Sequence, residues 1–246
     1  MEKGNTMHVL EAKGLSKSYR GKKAVHELSL YVGTGEIVGL LGPNGAGKTT
    51  TFYMMVGMIR PEAGSINLDG EDIGRLPMYK RALKGISYLP QEPSIFRKLT
   101  VRDNLRAILE IKGYTRTEID ERAEQLLEEF SLTPFADRTS HRLSGGERRR
   151  TEIARTIATN PTFILFDEPF AGIDPIAIIE LKKMLQYLKE RGLGILVTDH
   201  NVRDTLSITD RAYIISNGGI LDEGIPGKLI ANPRVKETYL GEEFKL

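Results

Sequence analysis

Gly42-Pro43-Asn44-Gly45-Ala46-Gly47-Lys48-Thr49 decides the reading of this chain. It meets the phosphate-loop pattern G-x-x-x-x-G-K-[ST] at every fixed position, and its flanks supply the context that the pattern requires. Ile37-Val38-Gly39-Leu40-Leu41 before it is an apolar run of strand length, and Thr50-Thr51-Phe52-Tyr53-Met54-Met55 after it continues as a helix. Glycines at 42, 45 and 47 permit positive φ and turn successive N–H groups toward one point, which makes a nest for an anion. A polyphosphate matches such a nest. Lys48 would neutralise its β- and γ-phosphates, the Thr49 hydroxyl would ligate Mg²⁺, and the helix opening here would add the partial positive charge of its N-terminus.

Composition agrees with a soluble nucleotide-binding protein. The 246 residues suffice for one α/β domain with an insertion, and 40% hydrophobic with 28% charged residues is ordinary for a globular chain. With no cysteine there is neither a disulfide framework nor a thiolate metal site. A net charge of +2 gives no general case for nucleic-acid binding. The longest apolar runs fall well short of the roughly 18 residues that cross a bilayer, and Met1-Glu2-Lys3-Gly4-Asn5 does not open a signal peptide. A membrane role therefore has to come through partners.

Upstream of the loop, Val9–Ala12, Ala24–Val32 and Glu36–Leu41 are expected to form a small antiparallel unit, with Gly21 and Gly33-Thr34-Gly35 at the reversals. Tyr19 falls between the first two strands, where an aromatic face could stack on adenine or simply half-bury in the sheet. Downstream, Gly64–Gly70 and Ile86–Pro90 have strand character, and the second delivers Gln91. From Thr100 to about Asn160 the pattern is helical. Thr100 with Asp103 is spaced to cap a helix whose stripe is Val101, Leu105, Ile108 and Leu109; Thr117 with Asp120 is expected to do the same for Ile119, Ala123, Leu126, Leu127 and Phe130. This block is a helical insertion in an α/β core.

The core resumes at Phe163-Ile164-Leu165-Phe166, an apolar run suited to a strand buried on both faces of a parallel sheet, and Asp167-Glu168 follow directly. Asp167 is placed to complete the Mg²⁺ site begun by Thr49, and Glu168 to orient and deprotonate an attacking water. A third buried run, Gly194–Thr198, also ends in polar residues, Asp199-His200. Since ligands sit outside the carboxyl ends of strands in open α/β sheets, Thr49, Gln91, Asp167, Glu168 and His200 should converge on one crevice. Leu143-Ser144-Gly145-Gly146-Glu147 opens a further helix, with Ser144 and Glu147 spaced as a capping box. The glycines there leave its free N–H groups bare for an anion, and Arg148-Arg149-Arg150 beyond them reads as a solvated helix face.

Gly42 to Thr49, Gln91, Leu143 to Glu147, Phe163 to Glu168, Ala171-Gly172-Ile173-Asp174 and His200, in this order and at these intervals, resemble the nucleotide-binding subunit of ATP-binding-cassette (ABC) transporters over essentially the whole chain. The resemblance implies an α/β P-loop NTPase fold: a RecA-like core with an antiparallel β-subdomain and an inserted α-helical subdomain. Core and β-subdomain would take about 7–98 and 161–230, the helical subdomain about 99–160, and a C-terminal tail 231–246. It implies Mg²⁺-dependent ATP hydrolysis by two copies closed head to tail. Gly42 to Thr50 would cradle the phosphates, Tyr19 stack on adenine, Gln91 meet the metal and the γ-phosphate, His200 contact that phosphate, and Ser144, Gly145 and Gly146 grip the neighbour's nucleotide. Glu147 stands where many members carry glutamine.

Within the family, Tyr88–Glu92 with Ser94-Ile95-Phe96, Ser144–Arg150, Asp167–Gly172, Thr198–Arg203 and Tyr239–Phe244 resemble the ATPases of lipopolysaccharide export systems. That implies a cytoplasmic dimer on the inner membrane driving two permease subunits, with no nucleic-acid partner and no direct contact with the transported substrate. Branched-chain amino-acid import ATPases and soluble cassette proteins remain as alternatives. Pro90 and Pro93 make Gln91–Leu99 an extended loop, whose apolar Ile95 and Phe96 suit either a partner's groove or the helical core.

Overall fold

The computed structural model describes residues 7–241, 243 and 244; the readings made of Met1–Asn5 and of Glu242 lie outside the described residues. β1 (Val9–Tyr19) and β2 (Lys22–Gly33) form an antiparallel hairpin. Arg20 and Gly21 turn it with φ of 49° and 79°, the paired positive values that match the twist of a two-residue hairpin. β4 (Ala63–Leu68) pairs antiparallel with β1, and β5 (Glu71–Asp72) with β4, giving a four-stranded sheet in the order β2-β1-β4-β5.

β3 (Ile37–Leu41), expected in this antiparallel unit, lies in a second sheet. That sheet runs β10-β9-β3-β8-β7-β6 and also contains β6 (Ile86–Leu89), β7 (Phe163–Asp167), β8 (Gly194–Thr198), β9 (Arg211–Ser216) and β10 (Gly219–Gly224). β3 is parallel to both of its neighbours, β8 and β9. Two-sided burial is the reason. All five residues of β3 are buried, so the strand has no face for solvent and belongs in a sheet covered on both sides. The same logic governs β7, where Phe163 and Leu165 join the core toward the antiparallel sheet while Ile164 and Phe166 join the core under the helices.

α1 (Lys48–Val56) is held between the two sheets, with Phe52, Met54, Met55 and Val56 in their shared core. On the opposite face lie α3 (Val101–Ile111), α4 (Arg116–Glu129), α5 (Gly145–Ala158) and α6 (Pro175–Glu190). Short helices α2 (Met78–Leu83), α7 (Val202–Leu206) and α8 (Pro226–Ala231) complete the elements used below.

Thr100 caps α3 as expected, accepting from the Asp103 N–H at 3.0 Å. The cap of α4 is displaced by two residues. Thr115 and Glu118 form the reciprocal capping box, whereas Asp120, expected to pair with Thr117, sits inside the helix 2.7 Å from Arg106. Gly113, at φ 79°, reverses the chain directly after α3 and so lets α4 begin earlier. The expected apolar stripe survives, because Ile119, Ala123, Leu126, Leu127 and Phe130 are all buried.

Two side chains depart from expectation in a way that matters for the site. Arg149, read as part of a solvated face, is buried, since it lies one turn before the fully buried Ile153. Its guanidinium donates to the Pro90 carbonyl at 3.1 Å and pairs with buried Glu152 at 3.3 Å. Ile95 is likewise core, while Phe96 beside it is 44% exposed. Buried Asn104 explains the split by fixing the main chain of Phe96 on both sides. Its Oδ1 accepts from the Phe96 N–H at 2.9 Å, and its Nδ2 donates to the Phe96 and Thr100 carbonyls and to Ser140 Oγ.

Because Asn104→Ala would leave several of these buried groups without partners, it should cost about 3 kcal/mol. Urea unfolding that gives a lower midpoint at unchanged m-value would bear this out.

Candidate nucleotide site

The phosphate loop takes its shape from backbone packing. Gly42 has φ 154°, and a Cβ there would stand 2.1 Å from the Ile215 carbonyl oxygen. Gly47 has φ 106°, and its Cβ would meet the Ala24 carbonyl at 2.5 Å. Between them Gly45, at φ 76°, completes the turn. Lys48 is buried, and its ammonium donates to the Gly42 carbonyl at 2.6 Å and to that of Pro43 at 3.0 Å. Burial pulls its pKa below the usual lysine value, and the negative charge of Glu168 opposes that shift. The lysine is thus prepositioned inside the loop, and among the described residues no carboxylate forms a salt bridge with it.

Above the loop opens a cavity of about 470 Å³ lined by Tyr19, Lys22, Lys23, Ala24, Asn44, Gly45, Gly47, Lys48, Thr49, Thr50 and His200. Tyr19, 46% exposed at the end of β1, lines it. Lys22, Lys23 and Ala24 were not expected. No local signal marks them, because they reach the cavity only through the packing of β2 against the loop.

β7 and β8 end side by side, with Asp167 in register with Thr198, and His200 just past β8 lines the cavity. Asp167 is buried and accepts from the Tyr88 hydroxyl at 3.2 Å; burial holds its carboxyl above the usual carboxylate range. Asp199 is also buried and raised by burial, and it accepts from the Phe170 and Asn201 N–H groups at 2.8 Å each. It shapes the turn that carries His200. Glu168 adopts φ 46°, the left-handed region that a side chain enters at a cost. Its N–H donates to the Thr198 carbonyl at 2.7 Å, and His200 Nε2 lies 2.8 Å from its Oε1. Gln91 is exposed just past the end of β6 and does not line the cavity.

The oxygen donors Thr49, Gln91 and Asp167 suit a hard cation. Among the described residues no cluster of three or more His, Cys, Asp or Glu could hold a metal by itself. That combination fits Mg²⁺, which is bound through one or two carboxylates together with phosphate oxygens and water.

Ser144, Gly145 and Gly146 are not part of this cavity. The Ser144 N–H donates to Glu147 Oε2 at 2.8 Å, while the Glu147 N–H returns to Ser144 Oγ at 3.3 Å, completing the expected capping box. Gly146 neighbours Ala177 and Glu180 of α6. One chain therefore carries two separate anion-ready features, the loop cavity and the exposed N-terminus of α5.

Residues 25–171 match the family model described as ABC transporter. The chain is 56% identical over 241 residues to the lipopolysaccharide export system ATP-binding protein LptB of Haemophilus influenzae, covering 98% of this chain and 100% of that protein. It is 54% identical to the protein of the same name from Escherichia coli K12, with the same coverage. Among solved structures it resembles the ADP conformation of an ATP-binding cassette of an ABC transporter, with a TM-score of 0.85, 29% identity and coverage of 96% and 100%. It also resembles a dimeric post-hydrolysis cassette bound to ADP and Pi, with a TM-score of 0.76, 25% identity and coverage of 88% and 98%. The match to the family model over more than half the chain, on a fold whose phosphate loop and His200 line one cavity, establishes that this protein is an ATP-binding cassette of the ABC transporter family.

Proposed function

We propose that this chain is the ATP-hydrolysing subunit of a lipopolysaccharide exporter, working as a head-to-tail pair beneath two permease subunits on the cytoplasmic face of the inner membrane. The observation that carries the paired arrangement is the separation of the loop cavity from the α5 N-terminus. The exposed Ser144 and Gly145, with half-buried Gly146 behind them, would close over a nucleotide held by another copy. The cargo rests on the identities of 56% and 54% to the lipopolysaccharide export relatives. Among the described residues no helix is long and apolar enough to cross a membrane, so transport requires partner chains.

Within each site Lys48 exchanges the Gly42 and Pro43 carbonyls for phosphate oxygens, and Tyr19 stacks on the base. Thr49, Gln91 and Asp167 would hold Mg²⁺, which supplies neutralisation of charge on the β- and γ-phosphates when bound. Glu168 orients water and takes its proton as the water oxygen bonds to the γ-phosphorus and the bond to the ADP oxygen breaks. The 2.8 Å contact to His200 fixes the carboxylate, and the left-handed backbone at Glu168 is the strain expected of a position selected for chemistry. Phe96, held outward by Asn104 with Arg155 stacked at 4.4 Å, offers an apolar contact to a permease helix.

Glu168→Gln keeps the shape and removes the base, so turnover should fall about 10²-fold or more while ATP binding persists. With ATP this variant should run as a dimer on size exclusion and with ADP as a monomer; a monomer in both states would exclude the composite site. Lys48→Ala should abolish the binding of a fluorescent ATP analogue in an equilibrium titration. Phe96→Ala should leave the melting temperature of the isolated subunit within about 2 °C, as exposed positions do, and lose copurification with the permease subunits.

A further inference from the structure

α2 is a six-residue helix that buries none of its apolar side chains. Met78, Tyr79 and Leu83 are 41%, 62% and 77% exposed, and the residue that anchors the helix is Arg81, at 1% exposure. A helix this short has no independent stability, so its position depends on that side chain. The guanidinium donates to four carbonyls. Nη1 reaches Met54 and Met55, each at 2.7 Å, while Nε reaches Leu76 at 2.9 Å and Nη2 reaches Gly74 at 3.1 Å. Asp72 folds the intervening turn by accepting from the Gly74 N–H at 2.7 Å, and its charge opposes the burial that pulls Arg81 down to about 10.

Met54 and Met55 close the last turn of α1, the helix whose first residues are Lys48 and Thr49. The final carbonyls of a helix have no partners within it, and its C-terminal dipole favours a cation. α1 carries no basic residue in its own last turn, and Arg81 supplies the charge from another element. Gly57 makes the approach possible, since a Cβ there would stand 2.8 Å from Arg81 Nε. The residues flanking this joint, Met58 after Gly57 and Met78 and Ala82 on α2, form one wall of an apolar groove of about 410 Å³ that continues over Ile86, Tyr88 and Ile108.

From this joint we infer that Arg81 is a positioning residue linking the groove wall to the phosphate loop through α1, a rod of nine residues or about 13 Å. Displacement of α2 is passed to Lys48 and Thr49 along the helix axis, and nucleotide at the loop stiffens α2 by the same route. This route runs through the core between the two sheets. It rests on the reading that Gly42–Thr49 holds phosphate.

Amide hydrogen exchange on the unmodified protein, with and without Mg²⁺ and the non-hydrolysable analogue AMP-PNP, tests it. Nucleotide should slow exchange in peptides covering residues 42–50 and also in those covering 72–83, and leave α8 unchanged as the internal control. Protection confined to 42–50 would overturn the inference and leave the nucleotide reading intact, whereas no protection at 42–50 would remove both. In Arg81→Lys, whose ammonium cannot span the four carbonyls, saturating nucleotide should still protect 42–50 but no longer 72–83, and AMP-PNP affinity should fall about fivefold or more. A merely structural arginine would give faster exchange in both nucleotide states with the 72–83 difference preserved. If the variant fails to fold, the exchange pattern of the unmodified protein decides alone.

Discussion

A Cβ at Gly42 would overlap the Ile215 carbonyl, and one at Gly47 that of Ala24, so the phosphate loop exists only because two backbones from elsewhere in the fold pass against it. Ile215 lies near the end of β9 in the six-stranded sheet, and Ala24 near the start of β2 in the antiparallel one. The loop is therefore clamped between both sheets, and the Gly218 N–H to Ala46 carbonyl bond of 3.0 Å adds a third hold from the β9–β10 turn. An anion cradle must keep several N–H groups pointed at one place without spending binding energy on ordering them. Contact with two sheets provides that order before any ligand arrives.

Buried charge marks the joints between parts. Leaving water is costly for a carboxylate or guanidinium, so each such group persists where specific partners or later chemistry use it. Arg149 and Glu152 of α5 hold the segment that contains Gln91 by its own backbone, through the Pro90 carbonyl and the Ser94 N–H, the latter 2.8 Å from Glu152 Oε1. Asp199 braces the turns around Glu168 and His200, and Arg81 closes the far end of α1. Asp167 differs in kind. The Tyr88 hydroxyl, with Tyr53 nearby, uses only part of this carboxylate's acceptor capacity, which suits an oxygen available to a cation.

Glu168 joins the two themes. Its positive φ, the Thr198 carbonyl on its N–H and the imidazole of His200 on its carboxylate over-determine a conformation that the residue alone would avoid. The result is a carboxylate held by a neighbour that itself lines the cavity, in place of one wandering among rotamers. Precision of this sort is what a general base needs, since its effectiveness depends first on reach and alignment.

What the sequence alone determined is whatever rests on contacts among residues close in the chain. The phosphate loop between strand and helix, the strand ending in Asp167-Glu168, the Ser144–Glu147 capping box and the apolar stripes of α3 and α4 are all of this kind, because glycine spacing, capping distance and period express local geometry. Tertiary structure alone decided which sheet β3 enters, that Lys22, Lys23 and Ala24 line the cavity, that Arg149 and Arg81 are buried, and that Ile95 turns inward while Phe96 turns out. The physical reason is shared by all four. Charge on an arginine, or apolarity in a segment without periodicity, does not say whether distant carbonyls or side chains will meet it, and only the packed fold supplies the Met54 carbonyl for Arg81 or the Asn104 amide for Phe96.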